Sequence, residues 1–275
     1  MKVALLQISS SDDPDKNARE LKARVEEAAA TGARLICTPE VSNCVSLDRS
    51  RQSKVLKAED EDTMLADMRE AAARHGAWIN IGSLALKGGA DNRFLNRSFM
   101  IAPDGSIAAR YDKIHMFDVD VSDTERYRES DGYAPGSEAT LIQVDDMKVG
   151  MTICYDIRFP QLYRKLAHAG ADIILVPSAF SPVTGAAHWH ALLRARAIEN
   201  GCYVLASAQT GRHASSTARA RDTYGHTLAV SPWGQVMADA GTECGITYVD
   251  LDRAEVSKAR RRIPSLTHDR SFTGP

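Results

Sequence analysis

The chain has 275 residues, of which 44% are hydrophobic and 25% are charged, and its formal net charge is −2. A net charge so close to zero argues against nucleic acid or an anionic membrane as the main partner. No apolar stretch approaches the roughly 20 residues that a membrane span requires, and the opening residues turn polar too soon for a signal peptide. We therefore expect a cytoplasmic protein with one domain over residues 1–275.

The first third of the chain predicts a strand, a helix and a second strand. Residues 2–8 form an almost continuous apolar run, which is typical of a strand buried on both faces. Asp12-Asp13-Pro14 supplies the N-cap and first position of a helix that Gly32 ends, and residues 34–40 follow as a strand. This unit implies a right-handed crossover between parallel strands.

The middle of the chain predicts one more helix, three strands and a long loop. The helix covers residues 63–74, and the strands cover residues 77–86, 96–102 and 106–112. Residues 114–136 are polar and have no clear period. A loop of this length inside a compact domain is usually functional or disordered.

The second half of the chain predicts alternating strands and helices. Strands are expected over residues 140–144, 148–154, 171–177, 202–207, 226–231, 235–238 and 246–250. Helices are expected over residues 159–169 and 186–200, and a C-terminal helix ends at Arg260-Arg261-Arg262. Many strands with few helices predict a layered α/β fold with two sheets, and not a (β/α)8 barrel.

Cys154 lies where an apolar run breaks abruptly into charged residues and a proline, at the end of the strand predicted over residues 148–154. A thiol at a strand-to-helix junction lies at the carboxyl edge of a sheet, near helix N-terminal amides that favour a thiolate. A buried structural cysteine is the alternative. The other four cysteines are scattered without a Cys-x-x-Cys pair, so neither a disulfide framework nor a zinc cluster is expected.

Glu40 and Lys113 each close a predicted strand and suit the same chemistry. Either could simply be solvated, but together with Cys154 they are complete for attack on an amide. A partly desolvated Glu40 would have its pKa raised enough to take the thiol proton and pass it to ammonia. Lys113 and the backbone N–H of Tyr155 could stabilise the oxyanion. The same carboxylate could then activate water against the thioester.

Three blocks resemble the signature of a known family. They are Pro39-Glu40, Tyr111-Asp112-Lys113-Ile114-His115 and Cys154-Tyr155-Asp156-Ile157-Arg158-Phe159-Pro160. In type and order they are similar to the signature blocks of the nitrilase, or carbon–nitrogen hydrolase, superfamily. The resemblance implies an α-β-β-α sandwich, a homodimer or higher homo-oligomer, and no metal or organic cofactor. It implies Cys154 as nucleophile, Glu40 as general base and acid, and Lys113 as oxyanion stabiliser.

The resemblance also implies a second glutamate in the site and points to the amidase branch of the superfamily. Glu129 is the match for that glutamate, and Glu125 is the second candidate. The amidase branch is indicated by residues 113–120, 177–180 and 188–189. It implies hydrolysis of a small ω-amide that carries carboxylates, with deaminated glutathione as the first expected substrate and α-ketoglutaramate as the alternative.

The expected substrate contacts beyond the catalytic residues are Arg158, Phe180 and His188. Arg158 could hold a substrate carboxylate through two hydrogen bonds. Pairing of Arg158 with Asp156 or Glu199 to brace the site is an equal alternative.

The basic loop between Arg212 and Arg221 suits an anionic substrate, with plain solvation as its alternative. Residues 214–221 depart from the family pattern because they are longer and richer in serine, alanine and arginine than expected. The substrate contacts that this loop makes are therefore left open by the resemblance.

Other functions would use other residues. His188 and His190 stand two positions apart on a predicted helix and so point to different faces, which argues against a metal site. His115 or His168 could serve the cysteine in a Cys-His hydrolase. A thiol redox role would need the fold to bring Cys202 close, and a non-catalytic scaffold would leave the thiol unreactive.

Overall fold

The computed structural model describes residues 1–121, 126–217 and 219–274. The helices among these residues are α1 (Pro14–Ala30), α2 (Arg49–Val55), α3 (Thr63–His75), α4 (Pro160–His168), α5 (Pro182–Asn200) and α6 (Arg253–Arg262). The strands are β1 (Lys2–Gln7), β2 (Leu35–Cys37), β3 (Trp78–Leu86), β4 (Leu95–Ile101), β5 (Ile107–Asp112), β6 (Asp118–Asp120), β7 (Arg126–Arg128), β8 (Thr140–Val144), β9 (Met147–Met151), β10 (Ile173–Leu175), β11 (Tyr203–Ala206), β12 (Thr210–Arg212), β13 (Asp222–Tyr224), β14 (Leu228–Val230), β15 (Val236–Asp239) and β16 (Gly245–Asp250).

Two six-stranded sheets form the centre of the fold. The first has the order β16-β1-β2-β3-β4-β5, and the second has the order β15-β14-β11-β10-β9-β8. Strands β1, β2 and β3 run parallel, as do β9, β10 and β11. The strands outside these parallel centres pair antiparallel. The ribbons β6-β7 and β12-β13 lie outside both sheets.

The layers follow from the alternation of side chains along the strands. In β1, Ala4 and Leu6 pack with helices α1 and α3, whereas Val3 and Leu5 belong to the core shared with the second sheet, α4 and α5. Each fully buried leucine of this kind contributes about 1.5–3 kcal/mol of burial free energy. The result is a helix–sheet–sheet–helix sandwich, which confirms the α-β-β-α expectation.

The helix ends follow the local sequence signals. At the start of α1 the Asp13 side chain accepts the N–H of Lys16 at 3.1 Å, and Pro14 occupies the first helical position. Asp62 caps α3 in the same way, and Gly76 ends that helix in a left-handed conformation. Such an N-cap stabilises its helix by about 1 kcal/mol.

The elements next to the site differ from the predicted ones. Strand β2 ends at Cys37 and β9 ends at Met151, so Glu40 and Cys154 both lie beyond their strands in turns. Pro39 has no N–H to continue the ladder of β2. The long loop predicted over residues 114–136 contains the ribbon β6-β7, and helix α2 was not predicted. Along the described residues, no helix has both the length and the hydropathy that a membrane span requires.

Candidate active site

Cys154 begins a 3-10 turn, Cys154–Arg158, between β9 and α4. Its φ of +48° is a left-handed conformation, which costs a non-glycine residue on the order of 1–3 kcal/mol. Its N–H donates to the carbonyl of Pro177 at 2.9 Å, which ties the turn to the segment after β10. The strained turn thus holds a buried thiol beyond the carboxyl ends of the parallel strands.

Asp156 fixes this turn to the segment that carries Lys113. Its fully buried carboxylate accepts the N–H of Ile153 at 2.8 Å and the hydroxyl of Tyr111 at 2.7 Å. It also accepts the backbone N–H of His115 at 3.0 Å and lies 2.7 Å from Nδ1 of that ring. The Asp156 carboxylate therefore joins the cysteine turn to residues on both sides of Lys113. It also engages Nδ1 of His115 in a hydrogen bond.

Glu40 is delivered by the turn after β2 and is oriented by groups from both sheets. Its Oε2 accepts the N–H of Ala179 at 2.8 Å, and its Oε1 accepts from Lys113 Nζ at 2.9 Å. The turn packs against Gly82, where a Cβ would lie 2.0 Å from the carbonyl oxygen of Thr38. Because only glycine fits there, this close approach is part of what positions the carboxylate.

Lys113 is a buried cation between two carboxylates. Its Nζ lies 2.9 Å from Glu40 Oε1 and 2.9 and 2.8 Å from the two carboxylate oxygens of Glu129. The backbone N–H of Phe117 donates to Glu129 at 2.6 Å and fixes it. The structure therefore brings Glu129 to the lysine, whereas the second candidate, Glu125, falls outside the described residues.

Asn96 is a site residue that the sequence analysis missed. It is 2% exposed on β4, and its Nδ2 donates to Glu40 Oε1 at 2.9 Å and to Glu129 Oε1 at 3.3 Å. One amide thus links the two carboxylates that contact Lys113. The signal available in the sequence was an asparagine inside a strand that is otherwise mostly apolar.

The pKa values of Glu40 and Cys154 are shifted in directions opposite to those that the sequence analysis expected. Burial opposes ionisation of Glu40, but the ammonium of Lys113 outweighs it and holds the pKa of Glu40 below its ordinary value. Burial and then the charge of Glu40 raise the pKa of the Cys154 thiol, against the opposing effect of Lys113. The expected raised pKa of Glu40 and the expected thiolate are therefore wrong for the unliganded site.

Lys113 itself stays charged. Burial opposes its protonation, but the carboxylates of Glu129 and Glu40 raise the pKa of Lys113 well above its ordinary value. The unliganded cluster is consequently a protonated thiol beside an ionised carboxylate and a permanent cation.

A cavity of about 480 Å³ opens onto this cluster. Among the predicted site residues, it is lined by Glu40, Lys113, Glu129, Cys154, Tyr155 and Phe180. Further lining comes from aromatic and arginine side chains, namely Phe117, Tyr127, Tyr133, Arg49, Arg126, Arg128, Arg219 and Arg221. The cavity thus has carboxylates at the end that contains Cys154, and arginines along its walls that attract negatively charged groups of a ligand.

Arg158 and His188 are not among the residues that line this cavity. Arg158 Nη2 lies 3.2 Å from His188 Nδ1, and its guanidinium lies 5.9 and 5.7 Å from the ring centroids of Tyr155 and Phe180. The structure therefore pairs Arg158 with His188, and not with Asp156 or Glu199 as the sequence analysis allowed.

Arg221 is the arginine of the basic loop that the structure places against the catalytic cluster. Its Nη2 donates to the carbonyl of Ala179 at 2.6 Å, and its charge acts on Glu40. Its Nε is buried and has no hydrogen-bond partner among the described residues. Arg212, at the other end of the loop, is exposed and lies 3.8 Å from Asp222 instead.

His213 anchors the start of this loop and predicts a loss of stability in mild acid. It is buried, with Nδ1 2.6 Å from the carbonyl of Ser10 and Nε2 2.8 Å from the hydroxyl of Thr223. Burial, aided by the charge of Arg221, lowers the pKa of His213 to about 4. Between pH 6.5 and 4 the unfolded chain binds a proton that the folded protein does not, so stability falls as the pH falls. We expect about 3 kcal/mol of loss over this window.

Urea unfolding at about pH 7, 5.5 and 4.5 measures this effect, with a His213→Gln variant as the control. The variant retains a donor and an acceptor but has no titrating ring, so its stability should vary less over the same window. Equal pH dependence in both proteins would show that His213 is not the group responsible.

The layered fold and the cysteine, lysine and glutamate cluster define a hydrolase of amide bonds, and the comparison with known families agrees. A family model described as carbon-nitrogen hydrolase matches residues 2–261. The chain belongs to the carbon–nitrogen hydrolase family and is an amidase of the nitrilase superfamily, as the resemblance implied.

Individual relatives span nearly the whole chain. The deaminated glutathione amidase of Yersinia enterocolitica is 38% identical over 270 residues, which are 98% of this chain and 92% of that protein. The crystal structure of the Caenorhabditis elegans NitFhit protein matches with a TM-score of 0.89 and 34% identity, over 98% of this chain and 65% of that longer chain. Saccharomyces cerevisiae Nit3, a member of branch 10 of the nitrilase superfamily, matches with a TM-score of 0.84 and 28% identity over 96% of this chain and 94% of its own.

Proposed function

We propose that this protein hydrolyses a small amide that carries carboxylates, through a thioester on Cys154 and with release of ammonia. One observation carries the proposal: Cys154, Glu40 and Lys113 line one cavity, and Glu40 lies close enough to the thiol for each group to shift the other's pKa. The nucleophile, the base and the cation for the oxyanion are therefore within reach of one substrate carbonyl.

Acylation begins with a protonated thiol, because the pKa of Cys154 is raised. Glu40 takes the thiol proton as sulfur bonds to the amide carbon, and the carbonyl oxygen becomes an oxyanion near Lys113 and the Tyr155 N–H. As the Lys113 ammonium stabilises the oxyanion, it stabilises the ionised form of Glu40 less, and the Glu40 carboxylate becomes more basic. The pKa of Glu40 therefore rises in the step in which Glu40 acts as a base.

Glu40 carries the proton both when the thioester forms and when it is hydrolysed. Glu40 passes its proton to the nitrogen of the tetrahedral intermediate, the carbon–nitrogen bond breaks, and ammonia leaves. Glu40 then takes a proton from water as the water oxygen attacks the thioester carbon, and the thiolate that leaves recovers that proton. Glu129 and Asn96 keep Lys113 and Glu40 in place throughout.

The preferred substrate is deaminated glutathione, with α-ketoglutaramate as the alternative. The arginines that line the cavity are consistent with a substrate that carries carboxylates. A relative that matches 98% of this chain bears the name deaminated glutathione amidase. Comparing kcat/KM for the two amides decides between them, and negligible activity on both would contradict the assignment.

The Arg221→Met variant tests which arginine holds the substrate carboxylate. Arg221 lines the cavity and its guanidinium can pair with a substrate carboxylate, so its loss should raise KM for a carboxylate-bearing amide by about 10- to 100-fold. KM for a neutral amide of similar size should change much less. The matched control is Arg158→Met, outside the cavity, for which we expect a change of about twofold or less.

The opposite pattern would contradict this assignment. If Arg158→Met raises KM selectively for the carboxylate-bearing amide and Arg221→Met does not, the carboxylate is held by the residue that the sequence analysis named. Steady-state kinetics of both variants on both amides supplies the comparison.

We also propose that the enzyme is a homodimer or higher homo-oligomer. Ile198 and Trp233 are large apolar side chains that are 52% and 42% exposed, and Ile198 packs against the Gly234 turn beside Trp233. A shared patch of this kind is typical of an interface between subunits. Sedimentation velocity of the wild type and of Ile198→Glu tests it, and a monomeric wild type would contradict it.

One domain over the chain and a cytoplasmic location remain our proposals for its organisation. The family model over residues 2–261 supports the first. The five cysteines, all free in the structure, support a reducing compartment. Limited proteolysis and cell fractionation test the two proposals.

A further inference from the structure

A second cluster of ionisable side chains lies outside the residues that line the catalytic cavity. His190 on α5, His226 just before β14 and Asp239 at the end of β15 meet there. His190 Nε2 lies 2.8 Å from Asp239 Oδ2, and His226 Nδ1 lies 2.9 Å from Asp239 Oδ1. One ligand atom from each side chain lies within 4.8 Å of the other two. The proposed amide hydrolysis uses none of the three.

We propose that His190, His226 and Asp239 form a binding site for one Zn²⁺ ion. Two imidazoles and a carboxylate are ligands that zinc prefers, and three protein ligands leave a fourth position for water. Zinc bonds of about 2.0–2.2 Å in tetrahedral geometry place ligand atoms roughly 3.3 Å apart. The nitrogen–oxygen separations are 2.8 and 2.9 Å and all three ligand atoms lie within 4.8 Å of one another, so binding needs side-chain movements of about an ångström and no change of fold.

The ring protons of His190 and His226 do not prevent metal binding. In the present arrangement a neutral imidazole of His190 or His226 donates a ring N–H to Asp239. A bound cation needs the same nitrogens as lone-pair donors, which the other neutral tautomer provides with its proton on the second ring nitrogen. Both carboxylate oxygens of Asp239 already face the two imidazoles, so the carboxylate is placed to serve as a ligand.

The packing around the cluster holds His226 and Asp239 in place. The ring of Tyr224 stacks on His226 with centroids 4.4 Å apart. Tyr224 in turn packs against Gly185, where a Cβ would lie 2.3 Å from Cγ of the tyrosine. Trp189 donates its indole N–H to the carbonyl of His226 at 2.8 Å, and the side chain of Asp239 accepts the N–H of Gly241 at 2.9 Å. Two of the three ligands are therefore positioned before any ion arrives, which lowers the ordering cost of binding.

The sequence argument against a metal site applied to a different pair. His188 and His190 do point to different faces of α5: His188 meets Arg158, whereas His190 meets ligands that come from β15 and from the chain before β14. The site could not be foreseen from spacing, because its members lie 36 and 13 residues apart in the chain (226 − 190 and 239 − 226). An ion bound there would tie α5 to the second sheet.

Zinc binding by the whole chain tests the proposal. Equilibrium dialysis with Zn²⁺ followed by elemental analysis should give about one ion per chain in a Cys244→Ser background, which removes the one exposed thiol. His190→Ala and Asp239→Asn should each weaken binding by at least the roughly 10- to 100-fold that loss of an outer-shell partner costs a metal site. The midpoint of thermal unfolding should rise with Zn²⁺ in the parent and not in these variants.

A matched control comes from a histidine–aspartate pair elsewhere on the surface. His168 Nε2 lies 2.7 Å from Asp269 Oδ2, and among the described residues no third ligand atom joins this pair to complete a metal site. His168→Ala should therefore leave zinc binding unchanged. Circular dichroism establishes that each variant is folded. Substitution by Co²⁺ adds a spectroscopic test, since nitrogen and oxygen ligands give no thiolate-to-metal charge-transfer band.

Three results would overturn the site. They are the absence of saturable zinc binding in the folded parent, equal binding by the folded His190→Ala and His168→Ala variants, and a Co²⁺ complex with a thiolate charge-transfer band. Each is independent of amidase activity, so failure of this site and failure of the proposed reaction are distinguishable.

Discussion

Replacing Cys154 by alanine is expected to lower kcat for amide hydrolysis by roughly 10⁴-fold or more, which is the scale seen when a covalent nucleophile is removed. The loss should appear in kcat, because the cavity walls that bind the substrate are unchanged. Cys154 is buried in a strained turn, and alanine accepts the same backbone with little change in volume. The variant should therefore fold, and its thermal midpoint verifies this.

Cys244→Ser is the control for this prediction, because Cys244 is exposed and outside the catalytic cavity. It should retain the activity of the parent. Substantial turnover by a folded Cys154→Ala variant would mean that water attacks the amide directly, and the thioester route would be wrong.

Replacing Lys113 by methionine is expected to impair both stability and activity. Lys113 lies within 2.9 Å of Glu40 and Glu129, so its removal leaves the buried carboxylate of Glu40 and the partly buried carboxylate of Glu129 without the ammonium that they share. Breaking a buried ion pair by removing one partner costs about 3–5 kcal/mol. Loss of the oxyanion partner should lower kcat by a further 10²- to 10³-fold or so. Urea unfolding and steady-state kinetics measure the two effects.

The pH dependence of this variant should have the opposite sign to that of the parent. In the parent the pKa of Glu40 is lowered, so its contribution to stability is lost as the pH falls below about 4.5 toward the folded-state pKa. Without Lys113, burial should raise the pKa of Glu40 above its ordinary value, so stability should increase as the pH falls from that raised pKa toward about 4.5.

A second substitution separates the two roles of Lys113. Adding Glu129→Gln to Lys113→Met removes one of the two adjacent negative charges and should recover part of the stability without recovering kcat. Stability equal to the parent in Lys113→Met alone would contradict the buried network. Recovery of kcat in the double variant would contradict the oxyanion role.

The convergence of Cys154, Glu40 and Lys113 on one cavity was predictable because each residue follows a strand with a strong local signal. Glu40 and Cys154 leave the parallel centres of different sheets, and Lys113 follows the edge strand β5. Residues after the carboxyl ends of parallel strands converge where sheets pack face to face. The expected pKa of Glu40 failed for a related reason. It was argued from burial alone, whereas the 2.9 Å contact with Lys113 depends on how the two sheets meet.

Asn96 escaped prediction because it reaches the site only through tertiary packing, 56 positions from Glu40 in the chain. The sequence named the basic loop, but only packing against Ala179, 42 positions away, singles out Arg221 within it. Arg158 was placed in the site because it follows Cys154 by four residues, which suits a helical turn. The 3-10 geometry of that segment, fixed by Asp156, directs Arg158 to His188 instead.

The fold was predictable at the level of layers and less so at the ends of elements. The buried strand β1 and the N-terminal cap of α1 are local features, and the structure has them where the sequence indicated. The ribbon β12-β13 and helix α2 are short and were not predicted, because their stability depends on neighbours more than on their own sequence.

The most direct test of the central claim is rapid-quench mass spectrometry of the enzyme during turnover of a carboxylate-bearing amide. The account predicts an acyl group on the peptide that contains Cys154, formed and lost at rates that account for kcat. Peptides with the other four cysteines should stay unmodified. Full turnover with Cys154 free of acyl at every time point, or with the acyl group on another residue, would contradict it.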